Sequence, residues 1–134
     1  MTADLKRYSD FVDEVTSPVS KDTELFINRL RALEKLGINS TQLLTASEGL
    51  GGETGEFSEI VKKLNWHEKP FTEELHQHLE KELGDIIFYW IMACQALKLD
   101  PDKVVKKNVG KLEARYPGGK FSVDRAENRA EGDV

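Results

Sequence analysis

Cysteine, proline and long apolar runs are scarce in this sequence of 134 residues, and each shortage excludes a class of protein. The single cysteine, Cys94, excludes an internal disulfide and a zinc site built from several cysteines. No apolar run approaches the roughly 18 residues of a membrane-spanning helix, and residues 1–10 contain no apolar signal core, so we expect a cytoplasmic protein without a membrane partner. The net charge of −5 argues against a general binder of nucleic acid.

The remaining sequence is typical of a single all-α domain. Prolines and glycines seldom interrupt its helix-forming residues, and no alternating apolar pattern is sustained. We predict a bundle of about five helices within residues 1–121 and a loosely ordered polar tail over residues 122–134. Ser40, Thr72 and Asp100 are the expected starts of the last three helices. The predicted helices cover residues 5–15, 22–36, 40–64, 72–98 and 101–115.

Carboxylates lie where apolar residues are expected on two of these helices. Glu53 and Glu56 interrupt the apolar stripe of the third helix at steps of three and four, and Glu82 and Asp85 interrupt that of the fourth. An antiparallel pair of helices with a short connection would bring the four groups together. Such a cluster needs cations to offset repulsion and lost hydration, and oxygen ligands suit Mg²⁺ or Mn²⁺. Taken singly, each spacing is also that of a solvated helix face.

Glycines and basic residues add to this pattern. Gly49, Gly51, Gly52 and Gly55 lie within the third helix, where each costs about 1 kcal/mol relative to alanine. The close approach of a helix or a ligand would compensate, and a helix break is the alternative. Glu59, one step further along, is a candidate outer ligand or base.

The fifth helix carries a polar and basic edge formed by Asn108, Lys111 and Arg115. By itself this edge resembles a solvated face. Beside an acidic metal site it becomes a candidate phosphate clamp, because lysine supplies a mobile charge and arginine a planar fork. Lys62 and Lys63, just beyond the glutamates, can serve the same purpose. The apolar stretch 86–97 should be deeply packed or lie at a subunit interface.

Three motifs together resemble the MazG-like nucleoside triphosphate pyrophosphohydrolases of the all-α NTP pyrophosphatase superfamily. The motifs are Gly49-Leu-Gly-Gly-Glu53-Thr-Gly-Glu56, Glu82-Leu-Gly-Asp85 and Asn108-Val-Gly-Lys111-Leu-Glu-Ala-Arg115, and the resemblance spans about residues 43–121. It is strongest to the single-unit proteins of bacteria and their phages. It implies Mg²⁺-dependent hydrolysis of ribo- or deoxyribonucleoside triphosphates to monophosphate and pyrophosphate, with Mn²⁺ as a substitute, by a homodimer or a homotetramer built from dimers.

The resemblance also implies roles for individual residues. The proton acceptor is not assigned by it, although Glu53 and Glu56 are the candidates. Trp66 and His67 are weaker candidates for contact with the base, and packing is an equal alternative for Trp66. The implied metal ligands and catalytic residues are Glu53, Glu56, Glu82 and Asp85, and the implied substrate-binding residues are Asn108, Lys111, Tyr89, Arg115 and Trp66. The position of Lys63 beyond the glutamates adds it to the candidate substrate-binding residues.

Three alternatives remain open from the sequence. A specificity like that of dUTPase or dCTPase would leave the carboxylate spacing unchanged, because base selection depends on pocket shape. A non-catalytic helical module would use the acidic stripe to bind a basic partner. A di-iron bundle normally needs two Glu-x-x-His units, and here only the pair Glu73 and His76 fits.

Overall fold

A computed structural model describes residues 4–128, and every regular element in this range is a helix. All five predicted helices are confirmed, and two short helices, α2 and α7, add to them. None of the described helices combines the length and the apolar character that crossing a membrane requires. The helices are α1 (Leu5–Val15), α2 (Pro18–Lys21), α3 (Thr23–Lys35), α4 (Ser40–Trp66), α5 (Glu73–Ala96), α6 (Pro101–Arg115) and α7 (Val123–Glu127).

The helix starts follow from capping side chains. Thr72 Oγ1 accepts the backbone N–H of Leu75 at 3.2 Å, and Asp100 accepts that of Asp102 at 3.0 Å, as predicted. The predicted cap Ser40 is wrong by one residue, because the Asn39 side chain accepts the N–H of Gln42 at 3.1 Å instead. Ser40 is the first helical residue and is buried.

The polar tail predicted over residues 122–134 contains one short helix in its described part. Residues 123–127 form α7, a single short helix that begins after Ser122. Its C-terminal Asn128 donates its side-chain amide to Asp124 at 2.7 Å. Residues 129–134 lie outside the described part of the chain. Polar composition alone did not indicate this helix, because so short an element leaves no apolar period to detect.

Helices α4 and α5 form an antiparallel hairpin that holds the small core. The start of α4 meets the end of α5, where Asn39 N donates to Ala96 O at 2.9 Å and the side chains of Gln42 and Gln95 bond at 3.2 Å. Only α3 adds substantial packing to this pair within the described residues. The buried apolar side chains are Ala46, Ile60, Cys94 and Ala96.

Much apolar surface remains uncovered in the single chain. The accessible surface is 10955 Å², against roughly 7,000 Å² for a compact folded chain of 15.2 kDa. On α5, Leu83, Ile87 and Phe88 are 51%, 57% and 58% exposed. The expectation that this helix is deeply packed is therefore wrong for this face within one chain. The other expectation, that this apolar face lies at a subunit interface, stays a prediction.

Candidate metal centre

Three glutamates from the two long helices converge on one point of the hairpin. Glu53 and Glu56 lie one turn apart on α4, and Glu82 faces them from α5. Each offers one carboxylate oxygen, and these three oxygens all lie within 4.8 Å of one another. The cluster runs from the protein interior to solvent, because Glu82 is buried, Glu53 is half-buried and Glu56 is exposed. The arrangement matches the predicted convergence of the two helices.

Glu82 is the most unusual member of the cluster. The residue as a whole is only 5% exposed, and its Oε2 atom has no hydrogen-bond partner within residues 4–128. An ionised carboxylate buried in this way is costly unless a positive charge or a donor meets it. Its other oxygen, Oε1, lies 2.9 Å from His78 Nε2, one turn earlier on α5. A divalent cation held among the three glutamates would give this buried oxygen a partner.

The electrostatics of Glu53 point the same way. Burial raises the pKa of the Glu53 carboxyl, and the negative charges of Glu56, Asp85 and Glu82 raise it further. Among the described residues, none of the charged groups that shift the pKa of Glu53 is positive. A bound cation would reverse this effect by favouring the ionised carboxylates.

Asp85 occupies a different position from the other three carboxylates. It is exposed on α5 and lies outside the set of three close oxygens. Its charge nevertheless acts on Glu53, which places it at the margin of the cluster. Carboxylates at this margin suit Mg²⁺, which keeps several water ligands and tolerates bridging through water.

Glu59 is engaged elsewhere. It forms ion pairs with Lys62 and with Lys63, the latter at 3.3 Å, and its pKa is lowered chiefly by the interaction with Lys62. Two lysines on the same helix therefore hold this carboxylate. This contact competes with the suggested roles of Glu59 as an outer ligand or as a base.

A cavity of about 420 Å³ adjoins the cluster on the α4 side. Glu56 belongs to both the cluster and this cavity, so the two spaces are continuous. Lys63 of α4 and His78 of α5 also line the cavity. The cavity is lined by Gly51, Gly52, Gly55, Glu56, Glu59, Ile60, Lys63 and His78.

The glycines of α4 divide into two groups. Gly49 is required by close packing, because a Cβ there would collide with the ring of Tyr89 on α5. Gly51, Gly52 and Gly55 face open space, where a Cβ would meet nothing within 4 Å. The predicted close approach is thus confirmed for Gly49. The other three glycines keep one side of α4 bare beside the cavity.

The candidate substrate residues are dispersed in the single chain. Tyr89 is half-buried between Gly49 and Phe88, with the two aromatic ring centroids 5.1 Å apart. Trp66 is 81% exposed at the end of α4, so the alternative of a packing role is wrong within this chain. Helix α6 has only sparse contact with the other described helices. Its Asn108 and Lys111 are exposed.

Sequence reasoning missed His78 as a member of the site. The His78 side chain is 54% exposed, and histidines on an exposed helix face carry no signal of a site by themselves. Its contact with Glu82 follows from an interval of four residues, which places both side chains on one helix face. That interval was the available signal.

Taken together, the helical hairpin and its acidic cluster define a helical protein with a candidate divalent-metal centre. Residues 41–119 match the family model of the MazG nucleotide pyrophosphohydrolase domain, and the chain belongs to this family. It is also similar to the Gene 37 protein of Mycobacterium phage L5, at 35% identity over 72 residues. That match covers 53% of this chain and 63% of the phage protein, which is less than two thirds of the latter's length. No solved structure matches the chain.

Proposed function

We propose that this chain is a nucleoside triphosphate pyrophosphohydrolase, which cleaves ribo- or deoxyribonucleoside triphosphates to a monophosphate and pyrophosphate. One observation carries the proposal: oxygens of three glutamates lie within 4.8 Å of one another. One of these glutamates, Glu82, is buried and has an oxygen without a hydrogen-bond partner among the described residues. Membership of the MazG nucleotide pyrophosphohydrolase family supports the reaction type. All-oxygen ligands and a triphosphate substrate favour Mg²⁺ as the ion, with Mn²⁺ as a substitute.

The residues fit such an ion. Glu53, Glu56 and Glu82 would hold it directly, and Asp85 would act at the margin of the site, directly or through water. When bound, the ion supplies Lewis-acid stabilisation of the phosphate oxygens. The three glutamates would fix the position of the ion, because two of them lie one turn apart on α4 and the third is buried on α5.

The cavity beside the cluster is the proposed path for phosphate and water. Lys63 lies in its wall and can attract phosphate oxygens as a mobile positive charge. Gly51, Gly52 and Gly55 leave room there for a ligand to approach the α4 backbone. Glu56 is exposed and lines the cavity, so we propose that the Glu56 oxygen that does not hold the ion accepts the proton from the attacking water.

The remaining substrate contacts are proposed from the family resemblance. Asn108, Lys111 and Arg115 would meet the triphosphate, and Tyr89 and Trp66 the nucleoside. Because α6 has only sparse contact with the described hairpin, we propose that its polar edge acts in an assembled dimer or tetramer. The uncovered face of Leu83, Ile87 and Phe88 is the proposed contact between copies, since its burial would recover the missing apolar packing.

A panel of the eight common ribo- and deoxyribonucleoside triphosphates tests the reaction. We expect Mg²⁺-dependent release of pyrophosphate and no release of single phosphate, and the preferred base would distinguish a broad enzyme from one resembling a dUTPase or dCTPase. Release of single phosphate, or no turnover of any nucleotide with Mg²⁺ or Mn²⁺, would contradict the proposal. Adding EDTA should stop the reaction, and restoring Mg²⁺ should restart it.

Thermal unfolding separates an enzyme from a non-catalytic helical module. Binding of Mg²⁺ to the native state must stabilise it, by about 2.7 kcal/mol when the ion is at 100 times its dissociation constant. We expect the melting temperature to rise with millimolar Mg²⁺ or Mn²⁺ in the wild type. No rise for either ion, together with no turnover, would favour the module.

A further inference from the structure

One histidine lies against the buried carboxylate of the proposed metal centre. His78 Nε2 is 2.9 Å from Glu82 Oε1, which is within hydrogen-bond distance. The two side chains differ sharply in exposure, since His78 is 54% exposed and Glu82 is 7% exposed. The histidine therefore reaches from the cavity wall to the innermost carboxylate of the cluster.

The two oxygens of Glu82 have different surroundings. Oε1 faces His78, whereas Oε2 is buried and has no hydrogen-bond partner within the described residues. A carboxylate can rotate about its last carbon–carbon bond, and this rotation changes the directions in which its two oxygens point. A donor that holds one oxygen fixes the rotation and thereby fixes the direction of the other oxygen, which can then bind a cation. Outer partners of this kind orient the ligands of many metal sites.

We propose that His78 is a positioning residue for the metal centre, which donates its Nε2–H to Glu82 Oε1 and thereby directs Oε2 to the ion. This inference rests on the metal site of the proposed function and goes beyond its ligand set. His78 acts through Glu82 and does not bind the ion itself. No other described histidine has this contact: His76 instead packs its ring against Phe71, with centroids 5.8 Å apart.

The chemistry of amides gives a matched pair of variants. The Nε2 atom of glutamine lies four bonds from Cα, as Nε2 of histidine does, whereas the amide nitrogen of asparagine lies only three bonds away. H78Q therefore keeps a donor at the required reach, and H78N and H78A do not. H76N changes a histidine on the same helix without touching Glu82.

The test measures Mn²⁺ binding to the full chain by electron paramagnetic resonance, with no nucleotide present. We expect H78A and H78N to weaken Mn²⁺ binding by about 10-fold or more, the range seen for outer partners of metal ligands. H78Q should stay within about 2-fold of the wild type, and H76N should bind as the wild type does. The bound Mn²⁺ should show no coupling to a directly coordinated ¹⁴N nucleus.

Several outcomes would overturn the inference. Equal Mn²⁺ affinity for H78A and wild type would show that His78 does not position Glu82. An H78Q variant as weak as H78A, or a ¹⁴N coupling from a bound imidazole, would make His78 a direct ligand instead. These outcomes leave the proposed enzyme intact, provided that the wild type binds Mn²⁺ and E82Q does not. A wild type that fails to bind Mn²⁺ would overturn the metal centre and the inference together.

Discussion

The α4–α5 hairpin and helix α6 carry the same kind of sequence signal but differ in what the fold does with it. Each has polar residues spaced by three and four along a helix. In the hairpin these residues converge, so that three glutamate oxygens lie within 4.8 Å. On α6, Asn108 and Lys111 remain exposed, and the helix has only sparse contact with the rest of the described chain.

The difference lies in what faces each stripe. The α4 and α5 stripes are apolar on both sides of the glutamates, and a six-residue connection, 67–72, returns the second helix along the first. Burial of Ala46, Ile60 and Ala96 then closes the pair. Within the described residues, helix α6 has only sparse contact with the other helices, and its Val105 and Val109 are 50% and 47% exposed. The acidic residues of the proposed site thus converge within one chain, whereas its basic residues lie on a helix that packs little against the hairpin.

The largest expected effect removes the buried carboxylate of the hairpin. E82Q should lower Mg²⁺-dependent pyrophosphate release by more than about 100-fold, because even outer partners of metal ligands are worth about 10- to 100-fold. Helical circular dichroism should be unchanged, since glutamine fills the same space. E80Q, on an exposed part of α5, is the matched control and should retain full activity. Full activity in E82Q would contradict the site.

The next prediction tests whether a second copy of the chain completes the proposed site. I87D places a carboxylate on the uncovered α5 face, where burial of an unpaired charge is strongly unfavourable. We expect the mass in solution to fall from that of an oligomer to that of a single chain, with a loss of turnover. L36D, at a site 76% exposed away from this face, is the control. A wild type that is monomeric and fully active would contradict the proposed interface between copies.

A smaller effect is expected when α6 is changed, because it should alter KM without altering metal binding to the hairpin. K111A removes a charge from α6, and we expect KM for the triphosphate to rise by about 10-fold or more, as the loss of a charge-assisted hydrogen bond of about 1.5–3 kcal/mol implies. Mn²⁺ affinity without nucleotide should not change, because the acidic cluster is on other helices. K106A, on the same helix but off this edge, should leave KM unaltered. Weaker Mn²⁺ binding in K111A would mean that the regions are not separable.

The smallest effect concerns pH and the metal-free hairpin. The folded state raises the pKa of Glu53 above its ordinary value of 4.5, so the folded state holds this proton more tightly than the unfolded chain does. The contribution of Glu53 to the free energy of unfolding is therefore greatest below pH 4.5 and is lost as pH rises through the raised pKa. As pH rises through the raised pKa of Glu53, E53Q should become more stable relative to the wild type. Denaturant titrations in the presence of EDTA measure this difference in the free energy of unfolding. A constant difference between the two proteins at all pH values would refute this.

The helices were largely predictable because their signals are local. The bounds of α1 agree with the prediction at both ends, and α6 starts at the expected Asp100–Pro101 step. The cap of α4 was misplaced because Asn39 and Ser40 are both good capping residues, and only the path of the chain decides between them. The short helices α2 and α7 escaped because they are too brief for a period to show.

The convergence of the two carboxylate stripes was predictable from the sequence, but the order of the carboxylates within it was not. Spacing put Glu53, Glu56, Glu82 and Asp85 on facing stripes, yet the structure separates the buried Glu82 from the exposed Asp85. Tertiary contact also assigned Glu59 to its lysines and His78 to Glu82. These pairings depend on side-chain rotamers and on burial, which helical spacing does not predict.

By itself, the sequence determined the all-helical fold, the two carboxylate stripes and the resemblance to a family of pyrophosphohydrolases. Each of these depends on periodicity or on short motifs, which local backbone geometry dictates. Only the tertiary structure decided which carboxylate is buried, which glycine is packed against Tyr89, and which apolar face remains uncovered. Burial is set by how helices pack against one another, and residues distant in the chain decide it together.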